Sequence, residues 1–305
     1  IKDFHPIKHF SLQVDWQHSK GKISSVWQPK EDIDDLDDEN RLLNKNVAEA
    51  FLQKLQSMQN LSGKIIKLEQ TEKKEQPRLP YSLSALQIDA GKKFGLSPQQ
   101  VLDTMQNLYE KKLTTYPRSD CDYLPENQTA DIDAILDNLK RLSEDFSKIV
   151  AAADSSLRSK AWNDKKISAH HAIIPTIEKV NLSSLSDLEQ KLYLMVALAY
   201  IAQFYPAHVY LSTKIEISCE GELFIAKGKT VKVMGWRSLY SFDSSENEDD
   251  AQKNLPVVQE DENVAYIEGK VIEKETKPPV RFTPASLLEA MKKIYKYVKD
   301  KSLQP

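Results

Sequence analysis

A tyrosine and an arginine two residues apart are the most reactive pair that this chain offers. They are Tyr116 and Arg118 of the octet LTTYPRSD at 113–120. A tyrosine hydroxyl has a pKa of ~10, so making it a nucleophile at pH 7 takes roughly 4 kcal/mol of differential stabilisation. A guanidinium on the same side of an extended segment, held by Pro117, could bind a phosphate and stabilise charge on a pentavalent phosphorus. On these residues alone, a structural tyrosine beside a surface arginine is the more common explanation.

Two adjacent histidines, His170 and His171, form the second candidate group, within ISAHHAIIPT at 167–176. Their side chains point to different sides, so one imidazole could donate to a phosphate while the other packs. Four basic residues lie just upstream and would raise the local affinity for phosphate: Arg158, Lys160, Lys165 and Lys166. Without further context, a histidine pair that serves only packing is the simpler alternative.

An acidic run at 31–39 contains the spacing DxDxE in Asp35, Asp37 and Glu39, which some nucleotidyl-transfer enzymes use to hold Mg²⁺. No apolar strand precedes the run to aim the three carboxylates at one point. We therefore expect a solvated loop and no metal site in this chain. The last three residues of the phosphate-binding motif GxxxxGK(S/T) are matched by Gly228, Lys229 and Thr230, but Leu223 stands at the position of its first glycine.

Composition excludes several classes of protein. The chain has 305 residues, of which 40% are hydrophobic and 29% charged, with a mean hydropathy of -0.52. Because no apolar run approaches 18 residues, we expect no membrane span. No basic region followed by an apolar one opens the sequence, so we expect no signal peptide either. Two cysteines are too few for a disulfide framework. The net charge of -3 is concentrated in the run at 31–39 and in a second at 246–250, which leaves the remainder basic.

The hydrophobic period changes twice along the chain. Alternation predicts strands at 10–16, 23–27 and 65–69 around a helix at 46–58, and residues 70–79 are predicted to be a linker. A period of 3.6 then predicts helices at 82–94, from 98 onward, at 126–142 and at 186–204. Strands are predicted again at 209–219, 223–226, 230–234 and 264–273, and a last helix begins at 283 and reaches Val298. We therefore expect a β domain in two segments, 1–79 and 205–281, with a helical domain at 80–204 inserted between them and the start of another domain at 282–305.

Three motifs in this order resemble those of the type IA DNA topoisomerases, most of all the topoisomerase III branch. They are LPYSLSALQ at 79–87, LTTYPRSD at 113–120 and SAHHAIIPT at 168–176, and they are followed by GWR at 235–237 and KPP at 277–279. The resemblance covers nearly the whole chain. It implies an α+β multidomain fold in which a discontinuous antiparallel β arch domain carries an inserted, winged-helix-like gate domain.

The resemblance also implies a chemistry. Tyr116 matches the family's nucleophile, which attacks a single-stranded DNA phosphodiester to give a 5′-phosphotyrosine link; strand passage and religation follow. Arg118 matches the phosphate-stabilising arginine, and His170 matches a histidine that contacts a neighbouring phosphate. Four further residues are predicted to bind nucleic acid: Ser84, Gln87, Thr115 and His171.

One departure from the family limits the expected activity. The Toprim domain, which carries a general-acid glutamate and the Mg²⁺ carboxylates, has no counterpart here, and most of the C-terminal helical domain is missing as well. Since the chain starts at Ile1, we expect a piece excised from a longer polypeptide. We expect little or no turnover from this piece alone, and a bacterial cytoplasmic, nucleoid-associated setting for the whole enzyme. Two other hypotheses are a module that binds single-stranded nucleic acid without chemistry and a structural protein with no role on DNA.

Overall fold

The computed structural model describes residues 3–30, 33, 35–240 and 255–297, which form two compact units. The first unit comprises the described residues of 1–74, 209–232 and 245–280, and the second comprises those of 75–208, 233–244 and 281–305. The long segment 75–208 of the second unit therefore interrupts the first. This organisation confirms the predicted α+β fold with a helical insertion in a β domain.

Six strands form a closed antiparallel barrel that lies almost wholly in the first unit. Their bounds are β1 (Lys8–His18), β2 (Gly21–Gln28), β3 (Ser62–Glu75), β4 (His208–Cys219), β5 (Glu222–Val233) and β6 (Asn263–Glu275). The order around the barrel is β1-β2-β5-β4-β3-β6. β1 pairs antiparallel with both β2 and β6, and a turn at 19–20 joins it to β2. Closure leaves the sheet without a free edge.

Alternation along the strands fills the barrel interior, as the period of two predicts. Leu12, Val14 and Trp16 of β1 are fully buried, and the Trp16 indole donates to Ser25 Oγ at 2.7 Å. Helix α1 (Lys45–Ser57) packs against β1 and β6. Gly269 of β6 is needed for this packing, because a Cβ there would lie 2.6 Å from Leu52 Cδ1 of the helix.

The second unit is built from six helices within the described residues. They are α2 (Leu83–Phe94), α3 (Pro98–Glu110), α4 (Ile132–Lys140), α5 (Glu144–Ala151), α6 (Asp187–Ile201) and α7 (Pro284–Lys292). Capping boxes start α3 at Ser97 and α6 at Ser186, and Gly95 ends α2 with a φ of 70°. Across 3–30, 33, 35–240 and 255–297, we find no helix with the length and apolar character to cross a membrane.

One core holds α2 to α6 together. Leu86 of α2, Met105 of α3, Leu192 of α6 and Phe204 after it are fully or almost fully buried in the same cluster. Extended segments join this core at several points, and three of them carry the motifs singled out above. The helices thus form a rigid support on which irregular backbone can be held in place.

Some elements differ from the sequence-based predictions. The helix predicted at 126–142 is a 3₁₀ helix (Glu126–Asp131) followed by α4, and α5 was missed. The first stretch has no buried residue, and Thr129 Oγ1 donates to Glu126 O, which competes with α-helical bonding. The helix predicted to reach Val298 ends at Lys292, a 3₁₀ helix covers Ile294–Tyr297, and Val298 lies outside the described residues.

Two predicted breaks in the sheet are wrong. Residues 70–75, predicted as a linker, continue β3. Glu72 in this stretch forms an ion pair with Lys232 at 3.1 Å. The strands predicted at 223–226 and 230–234 are the single strand β5, which runs straight through Gly228. Barrel closure supplies these exposed, charged stretches with backbone partners that local sequence does not reveal.

The acidic run forms a loop in its described part, as predicted. Asp37 accepts hydrogen bonds from the backbone of Glu39 and Arg41 and from Arg41 Nε at 2.7 Å. Hydrogen bonds to Arg41, first its backbone N–H, hold the pKa of the Asp37 carboxyl below its usual range. The carboxylate is therefore engaged with protein groups. The second acidic run, at 246–250, lies outside the described residues.

Candidate active site

Backbone hydrogen bonds bring the three motif segments together within the second unit. Ile173 N donates to Tyr81 O at 2.7 Å, and an antiparallel bridge joins the same two residues. On the other side, Thr115 N donates to Ile174 O at 3.0 Å, and Thr114 bridges to Pro175. Segment 172–175 therefore lies between the first motif and the tyrosine motif. Residues distant in sequence become neighbours in one small antiparallel arrangement.

Tyr116 lies at the surface end of this arrangement, half-buried, between two other aromatic rings. Its ring centroid is 4.4 Å from that of His170, with the planes inclined by 35°, and 5.8 Å from that of Tyr109, which meets it edge-on at 85°. The hydroxyl has no hydrogen-bond partner in the part of the chain that the structure describes. Packing therefore holds the ring while its oxygen stays free to react.

Arg118 is exposed and makes no hydrogen bond or ion pair with any described residue. Pro117 and Arg118 form a turn, so the predicted extended backbone is wrong here. Pro117 is buried, and Ser119 beyond it is anchored, since its carbonyl accepts from Leu83 N at 2.8 Å. The turn between two fixed points presents an exposed cation two residues after the tyrosine, and no described residue neutralises it.

The two histidines have different environments, as their adjacency predicts. His170 is exposed and contacts Tyr116 through its ring face. His171 is half-buried, donates through Nδ1 to its neighbour Ala172 O at 2.7 Å, and accepts at Nε2 from the Gln128 amide at 2.9 Å. Burial, together with the neighbouring His170, lowers the pKa of His171 despite the bond to Ala172 O. Both ring nitrogens of His171 are therefore engaged inside the protein.

Two more of the predicted nucleic-acid ligands, Thr115 and Gln87, also form hydrogen bonds within the protein. The Thr115 hydroxyl donates to Ala172 O at 3.2 Å and accepts from Ile174 N at 3.0 Å. The Gln87 amide donates to Pro98 O at 2.9 Å and so joins α2 to the start of α3, while Ser84 is half-buried in the first turn of α2. The structure groups Thr115 and His171 with the Tyr116 site and places Ser84 and Gln87 on a separate helix.

Basic side chains flank the His170 segment. Lys160, Lys165 and Lys166 are exposed, and their ammonium groups make no hydrogen bond or ion pair with any residue that the structure describes. Arg158 is different, because its guanidinium donates to the carbonyls of Ser155 and Leu157 and lies over the Trp162 ring. The Cys121 thiol contacts Lys166 O at 3.6 Å, which ties this basic stretch to the tyrosine motif.

Sequence reasoning missed two residues of the site. Tyr109 of α3 is 40% exposed and its ring meets Tyr116. Ser119 is 1% exposed, and its hydroxyl lies 3.5 Å from His170 O. Neither role has a local signal, because each depends on a contact between segments that only the fold brings together.

Among 3–30, 33, 35–240 and 255–297, we find no group of three or more histidine, cysteine or acidic side chains arranged to hold a metal ion. Of the DxDxE carboxylates, Asp37 is committed to Arg41, Glu39 also pairs with Arg41 at 3.0 Å, and Asp35 accepts from Asn44 at 3.3 Å. These residues do not fit a Mg²⁺ site.

A discontinuous β domain with a helical insertion is the fold of the type IA DNA topoisomerases, and here the insertion carries a half-buried tyrosine, an exposed arginine and an exposed histidine. The family model for DNA topoisomerase matches residues 1–295, and the chain belongs to this family. Its relatives include DNA topoisomerase 3 of Vibrio cholerae, 38% identical over 310 residues that cover 100% of this chain and 47% of that protein. DNA topoisomerase 3 of Bacillus subtilis is 35% identical over 296 residues, covering 95% of this chain and 39% of that protein.

The chain thus spans less than half the length of these curated relatives. Full-length topoisomerase I from Thermotoga maritima shares the fold, with a TM-score of 0.67 at 19% identity over 96% of this chain and 45% of that structure. The resemblance to type IA enzymes and to their topoisomerase III branch is confirmed by these comparisons.

Proposed function

We propose that this chain is the gate-and-nucleophile part of a type IA DNA topoisomerase that acts on single-stranded DNA. The supporting observation is the grouping of Tyr116, whose hydroxyl is free, with His170 against its ring and an unpartnered Arg118 two residues on. The barrel unit corresponds to the arch in this proposal, and the helical unit to the gate.

In the proposed reaction, Tyr116 Oη attacks the phosphorus of one phosphodiester. The new O–P bond replaces the bond to the 3′ oxygen, so the DNA 5′ phosphate is carried by the tyrosine and the 3′ end becomes a hydroxyl. The tyrosine proton is lost and the leaving oxygen gains one. One ester forms as one breaks, so religation by the reverse step needs no energy source, which suits strand passage.

Arg118 and His170 stabilise charge in this reaction. The guanidinium can hold two phosphate oxygens and offset the charge that grows in the pentavalent transition state. An exposed imidazole beside the attacking ring can donate to a phosphate oxygen. The exposed Lys160, Lys165 and Lys166 would attract the strand and hold its neighbouring phosphates.

Mg²⁺ and the general acid are proposed to come from a Toprim domain of the same polypeptide, outside this chain. No described carboxylate cluster fits the ion, and no described acid lies in contact with Tyr116. The chain by itself would then bind DNA but turn over little or not at all. We propose a bacterial cytoplasmic enzyme associated with the nucleoid, since the named relatives are bacterial.

The alternative function is a single-strand binding module without chemistry. Exposed lysines and the Tyr109, Tyr116 and His170 rings would suit base stacking and phosphate contacts. A labelled single-stranded oligonucleotide incubated with the full-length protein and Mg²⁺, then denatured, separates the two functions. A topoisomerase leaves a covalent protein–DNA adduct that Tyr116→Phe abolishes, whereas a binding module leaves none.

A further inference from the structure

Thr115, the residue immediately before Tyr116, is anchored by its side chain as well as by its backbone. Its hydroxyl donates to Ala172 O at 3.2 Å and accepts from Ile174 N at 3.0 Å, and its own N–H donates to Ile174 O at 3.0 Å. Three hydrogen bonds therefore fix the residue immediately before Tyr116 onto the segment that follows His170.

The Ala172 carbonyl also accepts a hydrogen bond from His171, the residue next to His170. Ala172 O accepts from His171 Nδ1 at 2.7 Å as well as from the Thr115 hydroxyl. A carbonyl oxygen has two lone pairs, so one atom can hold both groups at once. Thr115 is joined by the peptide bond to Tyr116, and His171 to His170. One shared acceptor thus links the residue before Tyr116 to the residue after His170.

A second contact anchors the chain on the other side of Tyr116. Ser119 is buried, and its hydroxyl lies 3.5 Å from His170 O while accepting from Cys121 N at 3.2 Å. The longer distance makes this the weaker anchor. Tyr116 and the turn at 117–118 are therefore held at both ends against the His170 segment.

We infer that Thr115 is a positioning residue of the cleavage reaction, an inference that rests on the proposed function. Its hydroxyl keeps the Tyr116 ring against His170 and does not itself touch the DNA. The hydroxyl already donates one hydrogen bond and accepts another within the protein, so a phosphate contact would compete with these bonds. Loss of the hydroxyl would leave Ile174 N without its side-chain acceptor and let the tyrosine segment shift.

The test compares Thr115→Val, which keeps the shape and removes the hydroxyl, with Thr115→Ser, which keeps the hydroxyl. Thr129→Val is the matched control, since its hydroxyl only donates to Glu126 O in its own turn. Adduct formation by the full-length protein is followed at saturating single-stranded oligonucleotide, and the Kd of that oligonucleotide is measured separately. A shift of the reacting atoms by about 1 Å can slow a reaction by about 100-fold.

We expect Thr115→Val to slow adduct formation about 10- to 100-fold at saturation with its Kd within about twofold of wild type. Thr115→Ser should remain within about threefold of wild type, and Thr129→Val should be unchanged. A weakened Kd with an unchanged rate at saturation would mean that Thr115 contacts DNA and would overturn the inference. So would an unchanged rate and Kd in Thr115→Val.

A second readout keeps this inference separate from the proposed function. In this chain without DNA, the Tyr116 ring should shift the NMR signals of the His170 ring protons, because the two ring centroids lie 4.4 Å apart with the planes inclined by 35°. Thr115→Val should reduce that shift and Thr115→Ser should preserve it. If the wild-type full-length protein forms no adduct, the proposed function fails, and these NMR shifts alone decide whether Thr115 positions the Tyr116 ring. Equal shifts in all three proteins would overturn the inference about Thr115.

Discussion

The Tyr116 ring packs against the His170 imidazole with centroids 4.4 Å apart, although the two residues lie in separate segments of the chain. The contact uses the faces of the rings and leaves the tyrosine oxygen without a partner among the described residues. A nucleophile can therefore be held in place before substrate arrives. Reduced freedom of the reacting group is one established way to lower a barrier.

Arg118→Ala should slow adduct formation in the full-length protein by about 100-fold or more, comparable to the loss of one oxyanion donor. The guanidinium is exposed and unpartnered, so its removal should leave the fold intact. Single-turnover cleavage of a labelled oligonucleotide measures the rate. Arg141→Ala, another exposed arginine, is the control and should cleave normally. Wild-type cleavage by Arg118→Ala would remove Arg118 from the mechanism.

Single-stranded DNA binding by this chain should weaken linearly in log K with log salt. Removing one phosphate contact reduces the slope by about 0.7, so Lys165→Ala combined with Lys166→Ala should reduce it by about 1.4. Fluorescence anisotropy at several salt concentrations gives the slopes. Lys148→Ala is the control, because that ammonium pairs with Glu144 at 2.7 Å on a helix away from the motifs. Equal slopes for the double variant and the wild type would show that these lysines do not contact phosphates.

His171 should make the stability of the helical unit depend on pH. Burial lowers the pKa of the His171 imidazole in the folded chain below its ordinary value of about 6.5, so the unfolded chain binds the proton more readily. The stabilisation is therefore complete above about pH 6.5 and is lost as pH falls toward the folded pKa. Thermal unfolding from pH 7.5 to 5 should show a steeper loss in wild type than in His171→Asn. His5→Asn, at an exposed site, should follow the wild type; parallel curves for His171→Asn would contradict the assignment.

Gly235→Ala should destabilise the second unit by about 3 kcal/mol or more. Gly235 has a φ of 55°, and a Cβ there would contact Pro206 O and lie 2.6 Å from Ala207 O. Gly95→Ala in the same unit separates the two causes, since Gly95 has a φ of 70° but nothing within 4 Å of its Cβ position. Urea unfolding should therefore show a loss of about 1 kcal/mol for Gly95→Ala. Equal losses would mean that the Gly235 contacts add nothing.

Local patterns predicted those elements whose cause is local. The capping boxes at Ser97 and Ser186 start helices where the sequence places them, and alternation from Leu12 to Trp16 marks a strand with a buried face. Motif order also predicted the family, which the comparisons confirm. These signals act through neighbours three or four residues away or through a period of two, so the sequence displays them directly.

The remaining features depend on contacts between distant segments. Barrel closure extends β3 over charged residues that look like a linker, and the anchors around Pro117 make a turn where proline suggested an extended backbone. The motif positions of Thr115 and His171 predict DNA ligands, yet both side chains donate hydrogen bonds to Ala172 O. The roles given to Tyr116, Arg118 and His170 stay predictions that the geometry supports.

The most direct test of the central claim is to identify the residue that carries the DNA. The full-length protein is reacted with a single-stranded oligonucleotide and Mg²⁺, the adduct is denatured and digested, and the nucleotide-bearing peptide is sequenced by mass spectrometry. The account predicts a 5′-phosphate ester on Tyr116 alone. An ester on Tyr109, whose ring lies 5.8 Å from that of Tyr116, or on any residue outside 113–120 would contradict it.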